Sequence, residues 1–421
     1  MALSSKYANL SLRNPLTFGK HLFSFCRDIY YTGKTVELFS FIGWEIMHRG
    51  KLFPARKYLN FSDHKAYSIE TLKPARSTTH TIEETNYDWK FCIITPSFEH
   101  WCVPMEHHTK LYLYVAGKLQ LVHTFHTEIK SLFITKSGTI LVAAGGCIYR
   151  GTQETPVFKK VLQLSSTISW FLFNNGITEL PNGDLFLGEY GSLWQTTRWK
   201  SLAYYYRSQD NGYTWQKIPS LYERGVNKHV HVLKYSSLLN SLIMTDGDNH
   251  KKIWINESLS AYEKLNRFKR NNGWKMVNHF HWMKGGYTSM IDGQDRLFLG
   301  SDYMGGTNFL VSTKDGKQYL SEIIPDPYRQ SPIMNMTYLK TPTHTEIWAS
   351  LYCSIGGKVK CLIMYTRNDG KTWNKFLEYD GSQYAVHLIS HSDAPIAHLY
   401  LSVTGTGTYK VYKISSSQSL N

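Results

Sequence analysis

Apolar residues in this chain come in short runs, four to eight long, broken by Gly, Asn, Asp and Ser. That rhythm predicts strands and tight turns rather than helices. From about residue 88 it becomes regular. Residues 110–117 and 118–124 read as a hairpin, followed by strands at 129–133, 138–144 and 147–151. Six apolar segments resemble one another and each follows a turn. They begin at Gly138, Gly183, Asn240, Asp295, Thr345 and Ala397. We read them as the second strands of six successive four-stranded units, with the 110–124 hairpin belonging to a seventh. A recurrence of about 50 residues signals a repeat array.

A second repeat runs in step with the first. Residues 208–215 read Ser-Gln-Asp-Asn-Gly-Tyr-Thr-Trp, and residues 366–373 read Thr-Arg-Asn-Asp-Gly-Lys-Thr-Trp. Ser312 opens a third copy, with Lys314 at the aspartate position and Tyr319 at the tryptophan position, and Ser258 stands where a fourth would start. The starts at 208, 258, 312 and 366 are almost evenly spaced, and each closes an apolar run. In the octet Asp210 can accept hydrogen bonds from nearby backbone N–H groups, Gly212 permits positive φ, and Trp215 can plug the turn. The octet resembles the Asp-box that marks sialidase-like β-propellers. The resemblance covers about 173–379, and 88–415 by extension of the repeat. It implies an all-β fold, a β-propeller of six or seven blades, with the boxes structural and away from the functional face. The Arg-Ile-Pro-type opening motif of true sialidases is missing, and their arginine triad, Tyr–Glu pair and catalytic Asp find no matching positions. A carbohydrate-active or glycan-binding role is what the resemblance leaves.

Residues 1–87 lack the repeat and read as an irregular N-terminal extension that packs on or closes the propeller. A strand at 35–41 is a candidate for closing the last blade. The propeller occupies 88–415, and 416–421 read as a disordered polar tail.

Propeller geometry then places the chemistry. The start of a first strand and the end of a second strand meet at the same mouth of the central channel. Glu189, Asp248 and Asp302 follow second strands, and His229 and His231 open a first strand on one side of it. These five are the candidate catalytic residues. Paired carboxylates would suit glycoside hydrolysis. His229, His231 and Asp248 would instead suit a divalent metal ion, as in a polysaccharide lyase. Tyr190, Lys228, Tyr303 and His281 are the candidate substrate contacts, the tyrosines as stacking faces for a pyranose. The alternative is a non-catalytic propeller that binds a glycan or a protein. A His-x-His can equally bond channel water or backbone, and an Asp after a strand is often only a turn residue.

Composition narrows the partners. With 42% hydrophobic and 19% charged residues the chain is no disordered polymer. A net charge of +15 favours an anionic partner such as an acidic polysaccharide. No run of five Lys or Arg and no nucleic-acid motif occurs, so nucleic acid is not expected. The six cysteines form no CxxC, and free buried thiols are expected, with Cys353 and Cys361 able to face each other. Neither a secretory h-region nor an 18-residue apolar run is present, so no transmembrane segment is expected and the cytoplasm is the default compartment. Residues 1–27 carry Lys6, Arg13, Lys20 and Arg27 and no acid, a transit-peptide-like trait that leaves organellar targeting open.

Overall fold

The computed structural model describes residues 15–31, 35–76, 79–97, 99–154, 156–195, 198–219, 229–246, 252–257, 273–277, 286–303, 306–354, 359–392 and 394–417. Two compact units separate, one formed chiefly by residues 1–55 and the other by 56–421.

The first unit holds two helices, α1 (Pro15–Tyr31) and α2 (Thr35–Arg49). The strand expected at 35–41 is therefore corrected to helix. Its β-prone Val and Phe residues sit in a longer sequence whose apolar positions recur at helical spacing, through Phe39, Ile42 and Ile46, and that period wins.

The second unit is a seven-bladed β-propeller. Blade 1 comprises Trp89–Ile94, His100–Pro104, Lys110–Val115 and Lys118–Thr124. Blade 2 comprises Ile129–Ile134, Thr139–Ala144, Cys147–Thr152 and Lys159–Gln163. Blade 3 is built from Ile177–Glu179, Leu185–Gly188, Tyr205–Ser208 and Gln216–Ile218, and blade 4 from Val230–Ser236, Ser241–Asp246, Ile253–Asn256 and Lys275–Met276. Blade 5 uses Gly286–Asp292, Leu297–Asp302, Phe309–Thr313 and Leu320–Ile323. Blade 6 uses Ile333–Lys340, Thr345–Leu351, Cys361–Thr366 and Asn374–Tyr379. Blade 7 takes Ala385–Leu388, His398–Gly405 and Thr408–Ser416 from the C-terminal end and His80–Thr85 from the N-terminal side. His80–Thr85 pairs antiparallel with Thr408–Ser416, from His80↔Ser416 to Thr85↔Val411. All six segments read as second strands are second strands, and the last strand runs on into what was expected to be tail.

The blades are held by the apolar residues that alternate along each strand and interdigitate between neighbouring sheets. The Leu242, Met244 and Val230 side chains of blade 4, for instance, pack with Phe186 and Tyr205 of blade 3. Trp348 and Tyr365 of blade 6 stack at 4.9 Å beneath blade 7. Cys353 and Cys361 are free, buried thiols, and the Cys361 Sγ lies against the Cys353 backbone, 3.1 Å from its N.

The turn octets sit between third and fourth strands, on the face opposite the ends of the second strands. In the first, Asp210 accepts from the Thr214 N–H at 2.9 Å and from the Thr214 hydroxyl at 2.7 Å, while Ser208 Oγ accepts from the Gly212 N–H at 2.9 Å. Gly212 has φ +83°, and the Trp215 indole closes the turn onto the Gly212 carbonyl at 3.1 Å. Asn368 plays the part of Asp210 in the second, accepting from Thr372 N–H at 3.0 Å. The third copy is shifted by one residue. Thr313, not Ser312, caps the Gly316 N–H at 2.9 Å, and Asp315, not Lys314, accepts from Lys317 and Gln318 N–H at 2.8 Å each.

Two segments enter the centre of the disc. The turn Phe173–Asn175 packs on the first strands of blades 2, 3, 4 and 5, and Asn175 Oδ1 accepts the inward-facing Met290 N–H at 3.2 Å. Ser390–His391 pairs parallel with blade 1, inside its first strand. The channel is thus filled across part of its length.

Candidate functional site

Five of the seven first strands carry a β-bulge at their second or third residue, where the register slips past Lys90, Lys130, His231, Thr288 and Met334. A bulge puts two residues opposite one and re-aims the side chain of the extra residue. All five lie on the rim where second strands end, so each of these blades has one re-aimed residue near the mouth, with Thr288 and His231 buried there.

In blade 4 that residue is His231. Its Nε2 lies 2.8 Å from Nε2 of His229, and His229 Nδ1 lies 2.5 Å from the Gly191 carbonyl oxygen. A carbonyl only accepts, so His229 carries its proton on Nδ1. Its Nε2 is then the acceptor, and His231 donates from Nε2. Both rings are 1% exposed. The two rings thus lie on one side of the strand and bond to each other through their Nε2 atoms.

Aromatic rings continue outward from it. Tyr190 lies over His229 with centroids 4.2 Å apart, and Trp170 meets Tyr190 edge-on at 4.9 Å. Trp170 and Tyr190 also exchange backbone hydrogen bonds of 2.9 and 2.7 Å. The Lys130 ammonium sits 5.9 Å from the Trp170 ring. Lys130 and Lys90 both donate to Glu128. Burial alone would raise the Glu128 pKa, but these two hydrogen bonds and charges pull it down to about 2.

On the other side of the histidines, Gly286 is the register partner of Asp302. A Cβ on Gly286 would stand 2.9 Å from His231 Nδ1, so the chain passes directly beneath that ring. Asp302 and Tyr303 are half-buried at the end of this strand. Burial, and secondarily the Asp302 charge, push the Tyr190 phenol up to about 12. Tyr190, His229, His231 and Asp302 therefore belong to one rim, reached from blades 3, 4 and 5.

Glu189 differs from the expectation. It is 0% exposed and turned into the wall. Its Oε1 accepts from the Ser165 N–H at 3.1 Å and from the Ser165 hydroxyl, and its Oε2 accepts from the Tyr206 hydroxyl at 2.7 Å. The Tyr206 phenol is raised by burial and by that carboxylate. Glu189 pins the incoming 164–176 connection to blade 3. Lys228, Asp248 and His281 lie outside the described residues.

Of the three candidate metal ligands only His229 and His231 are among the described residues. Two imidazole ligands at about 2.0–2.1 Å from one tetrahedral ion would hold their nitrogens roughly 3.3 Å apart, and these nitrogens are 2.8 Å apart. Among the described residues no group of three His, Cys, Asp or Glu could hold an ion.

Lys90, Glu128, Lys130 and Trp170 were not singled out in the sequence. A signal was there: Trp89-Lys90-Phe91 and Ile129-Lys130-Ser131 align with Val230-His231-Val232 once first strands are superposed on the repeat.

No protein-family model matches the chain, and no curated protein matches it by sequence. Solved structures do. A chain of the mitotic checkpoint complex is similar with a TM-score of 0.50 and 9% identity, over 81% of this chain and 94% of that one. The extracellular domain of a one-component system from B. thetaiotaomicron is similar with a TM-score of 0.51 and 10% identity, over 82% of this chain and 40% of that one. YCF48 from Cyanidioschyzon merolae is similar with a TM-score of 0.50 and 11% identity, over 79% of this chain and 98% of that one. At these identities the likeness is one of fold alone, and the fold is a seven-bladed β-propeller.

Proposed function

We propose that this is a non-catalytic member of the Asp-box propellers that binds a carbohydrate at the mouth described above. The observation that carries the reading is the fate of the acid–base groups. Hydrolysis of a glycoside by the common route needs two carboxyl groups facing one ring. Glu189 has no exposed surface, and its carboxylate oxygens are turned to Ser165 and Tyr206. Glu128 is tied to two lysines. Asp302 is the one expected carboxylate of the described set left at the rim.

What the rim offers instead is a ledge. Trp170, Tyr190 and Tyr303 are each half-buried. Rigid aromatic faces flanked by polar groups suit the apolar face and hydroxyl edge of a pyranose. Lys90 and Lys130 stand at one end of the ledge, and with the net charge of +15 they favour an acidic glycan over a neutral one.

The test is calorimetric titration of a panel of neutral and uronate- or sulfate-bearing oligosaccharides, with a parallel assay for new reducing ends and for unsaturated products. Binding without turnover is expected, weakened about tenfold or more by Trp170→Ala through loss of one stacking face. Glu189→Gln should lower stability and weaken affinity less than Trp170→Ala does, since Glu189 only anchors the connection that carries Trp170. Product accumulation, or affinity indifferent to Trp170→Ala, would refute the reading.

A further inference from the structure

The two N-terminal helices carry an apolar surface that none of the described residues of their own unit covers. On α1, Leu22, Phe23 and Tyr30 recur at helical spacing and are 44%, 72% and 72% exposed. Tyr31 beside them is 79% exposed. On α2, Phe39, Ile42 and Ile46 form a second stripe, at 68%, 42% and 61%. Packing is found beside and behind these stripes: Ile29 of α1, next to Leu22 on the helix surface, is buried, and Trp44 on the far side of α2 stacks on Phe53 at 4.8 Å. Apolar residues at i, i+3, i+4 and i+7 normally face a core. Here two such stripes face outward, a concentration of large apolar side chains well beyond the scattered exposure of an ordinary surface.

The charges choose the occupant. Residues 1–55 contain seven Lys and Arg against three Asp and Glu, a net +4. Of the acids, Asp28 is paired with Arg27 at 3.6 Å and Glu45 with Arg49 at 3.4 Å. No acid precedes Asp28, while Lys6, Arg13, Lys20 and Arg27 do. A protein groove that takes an amphipathic helix needs only the apolar stripe. A stripe rich in Phe and Tyr, in a segment with an excess of cations, matches a bilayer interface with anionic headgroups, where aromatic rings sit at headgroup depth and basic side chains meet phosphate and carboxylate. Neither helix is long and apolar enough to cross a membrane. At about 1.5 Å per residue the 17 residues of α1 span about 25 Å, short of the roughly 20 predominantly apolar residues a crossing needs.

We propose that α1 and α2 lie in the plane of an anionic lipid surface, with Phe23, Tyr30, Phe39 and Ile46 inserted at the acyl boundary, and so tether the propeller to a membrane. The full-length protein is floated on a density gradient with vesicles of phosphatidylcholine and phosphatidylserine in equal parts, and with vesicles of phosphatidylcholine alone. Flotation with the mixed vesicles is expected, reduced on the neutral ones and by high salt. Phe23→Glu combined with Phe39→Glu should cut the bound fraction roughly tenfold or more, since each ring contributes its own burial. Both side chains are exposed, so the variant should keep the melting temperature of the parent. The inference fails if the parent does not float, or if the double variant floats as well as the parent. It fails also if light scattering shows a dimer that the double variant dissociates without any vesicle binding, since a second copy would then be the cover.

Discussion

Phe173 and His391 lie face to face in the middle of the propeller, with centroids 4.5 Å apart and planes within 10°. They are distant in the chain and come from the two segments that enter the channel. Phe173 holds its ring there at a cost. Its φ is +44°, in the left-handed region that disfavours side chains with a Cβ. His391 is 4% exposed, and burial, then the nearby Lys234 charge, drop its pKa to about 3. The stack therefore joins a strained residue to a neutral imidazole within the channel.

Replacing Phe173 should separate the two effects. Phe173→Ala loses the ring and keeps the strain, and should cost about 2 kcal/mol, less than a fully buried Phe because the ring is only half-buried. Phe173→Gly loses the same ring and relieves the positive φ, worth about 1 kcal/mol. Chemical denaturation should rank the parent above Gly, and Gly above Ala. The reverse order would mean that the backbone there is not strained.

Acid should destabilise the propeller earlier than carboxylates alone would. His391 and His398 both have pKa values lowered to about 3, the latter by burial, then by His100 and Lys413. An unfolded histidine titrates near 6.5. Above that pH neither state binds a proton and the full stability is present. Below it the unfolded chain takes up protons that the folded chain refuses, so stability falls as pH drops from about 6.5 towards 3. The slope is bounded by about 1.4 kcal/mol per pH unit for each histidine. Urea midpoints measured between those limits should decline steadily, and His391→Gln should flatten the decline. A midpoint independent of pH down to 4 would contradict the buried, neutral assignment.

The third turn octet offers a test of register. By alignment Lys314 stands where Asp210 does, but the hydrogen bonds run to Asp315. Asp315→Ala should lower the melting temperature measurably and Lys314→Ala should not. Asp210→Ala should cost about 1–2 kcal/mol through the Thr214 and Ser208 partners it leaves unsatisfied. None of the three should alter glycan affinity, because these turns lie on the face opposite the ledge. Equal losses for Lys314 and Asp315 would restore the aligned register.

How much of this could be read beforehand follows from distance along the chain. The second strands were legible because each is a contiguous apolar run after a turn, and the His229–His231 pairing because two residues of one strand share a side by period. What stayed hidden depends on contacts the chain makes far from itself. His80–Thr85 closes blade 7 by joining the N-terminal side of the propeller to its last strand, and nothing local marks it as the closing strand rather than 35–41. The inserted turn at Phe173–Asn175 is a polar, Asn-rich stretch that reads as an ordinary connection. Glu189 follows a second strand much as Asp246 and Asp302 end theirs. Only the placement of Ser165 and Tyr206, one of them in another connection, turns it from a rim acid into a wall bond. Lys90 and Lys130 stand out only when first strands are superposed on the repeat, because a bulge cannot be seen within a single strand of plausible alternation.

The last test concerns Gly286, which links the histidine pair to the ledge. Its backbone lies against His231, where a Cβ would meet Nδ1 at 2.9 Å and the Asp246 carbonyl at 3.2 Å. The ring cannot simply back away. Its Nε2 is held by His229 at 2.8 Å, His229 is held in turn by the Gly191 carbonyl at 2.5 Å, and Tyr190 covers both rings at 4.2 and 5.7 Å. One methyl group at Gly286 should therefore travel through His231 and His229 to the Tyr190 ring. Gly286→Ala should cost about 1–3 kcal/mol by overpacking and weaken glycan binding as well, although Gly286 itself has no side chain to touch a ligand. Pairing it with His231→Ala, which opens the space the methyl needs, should recover part of the stability lost by Gly286→Ala, so that the two changes are not additive. A double-mutant cycle closing to zero would show that the close approach has no energetic consequence, and the ledge would then have to be positioned by Trp170 and its backbone pairing alone.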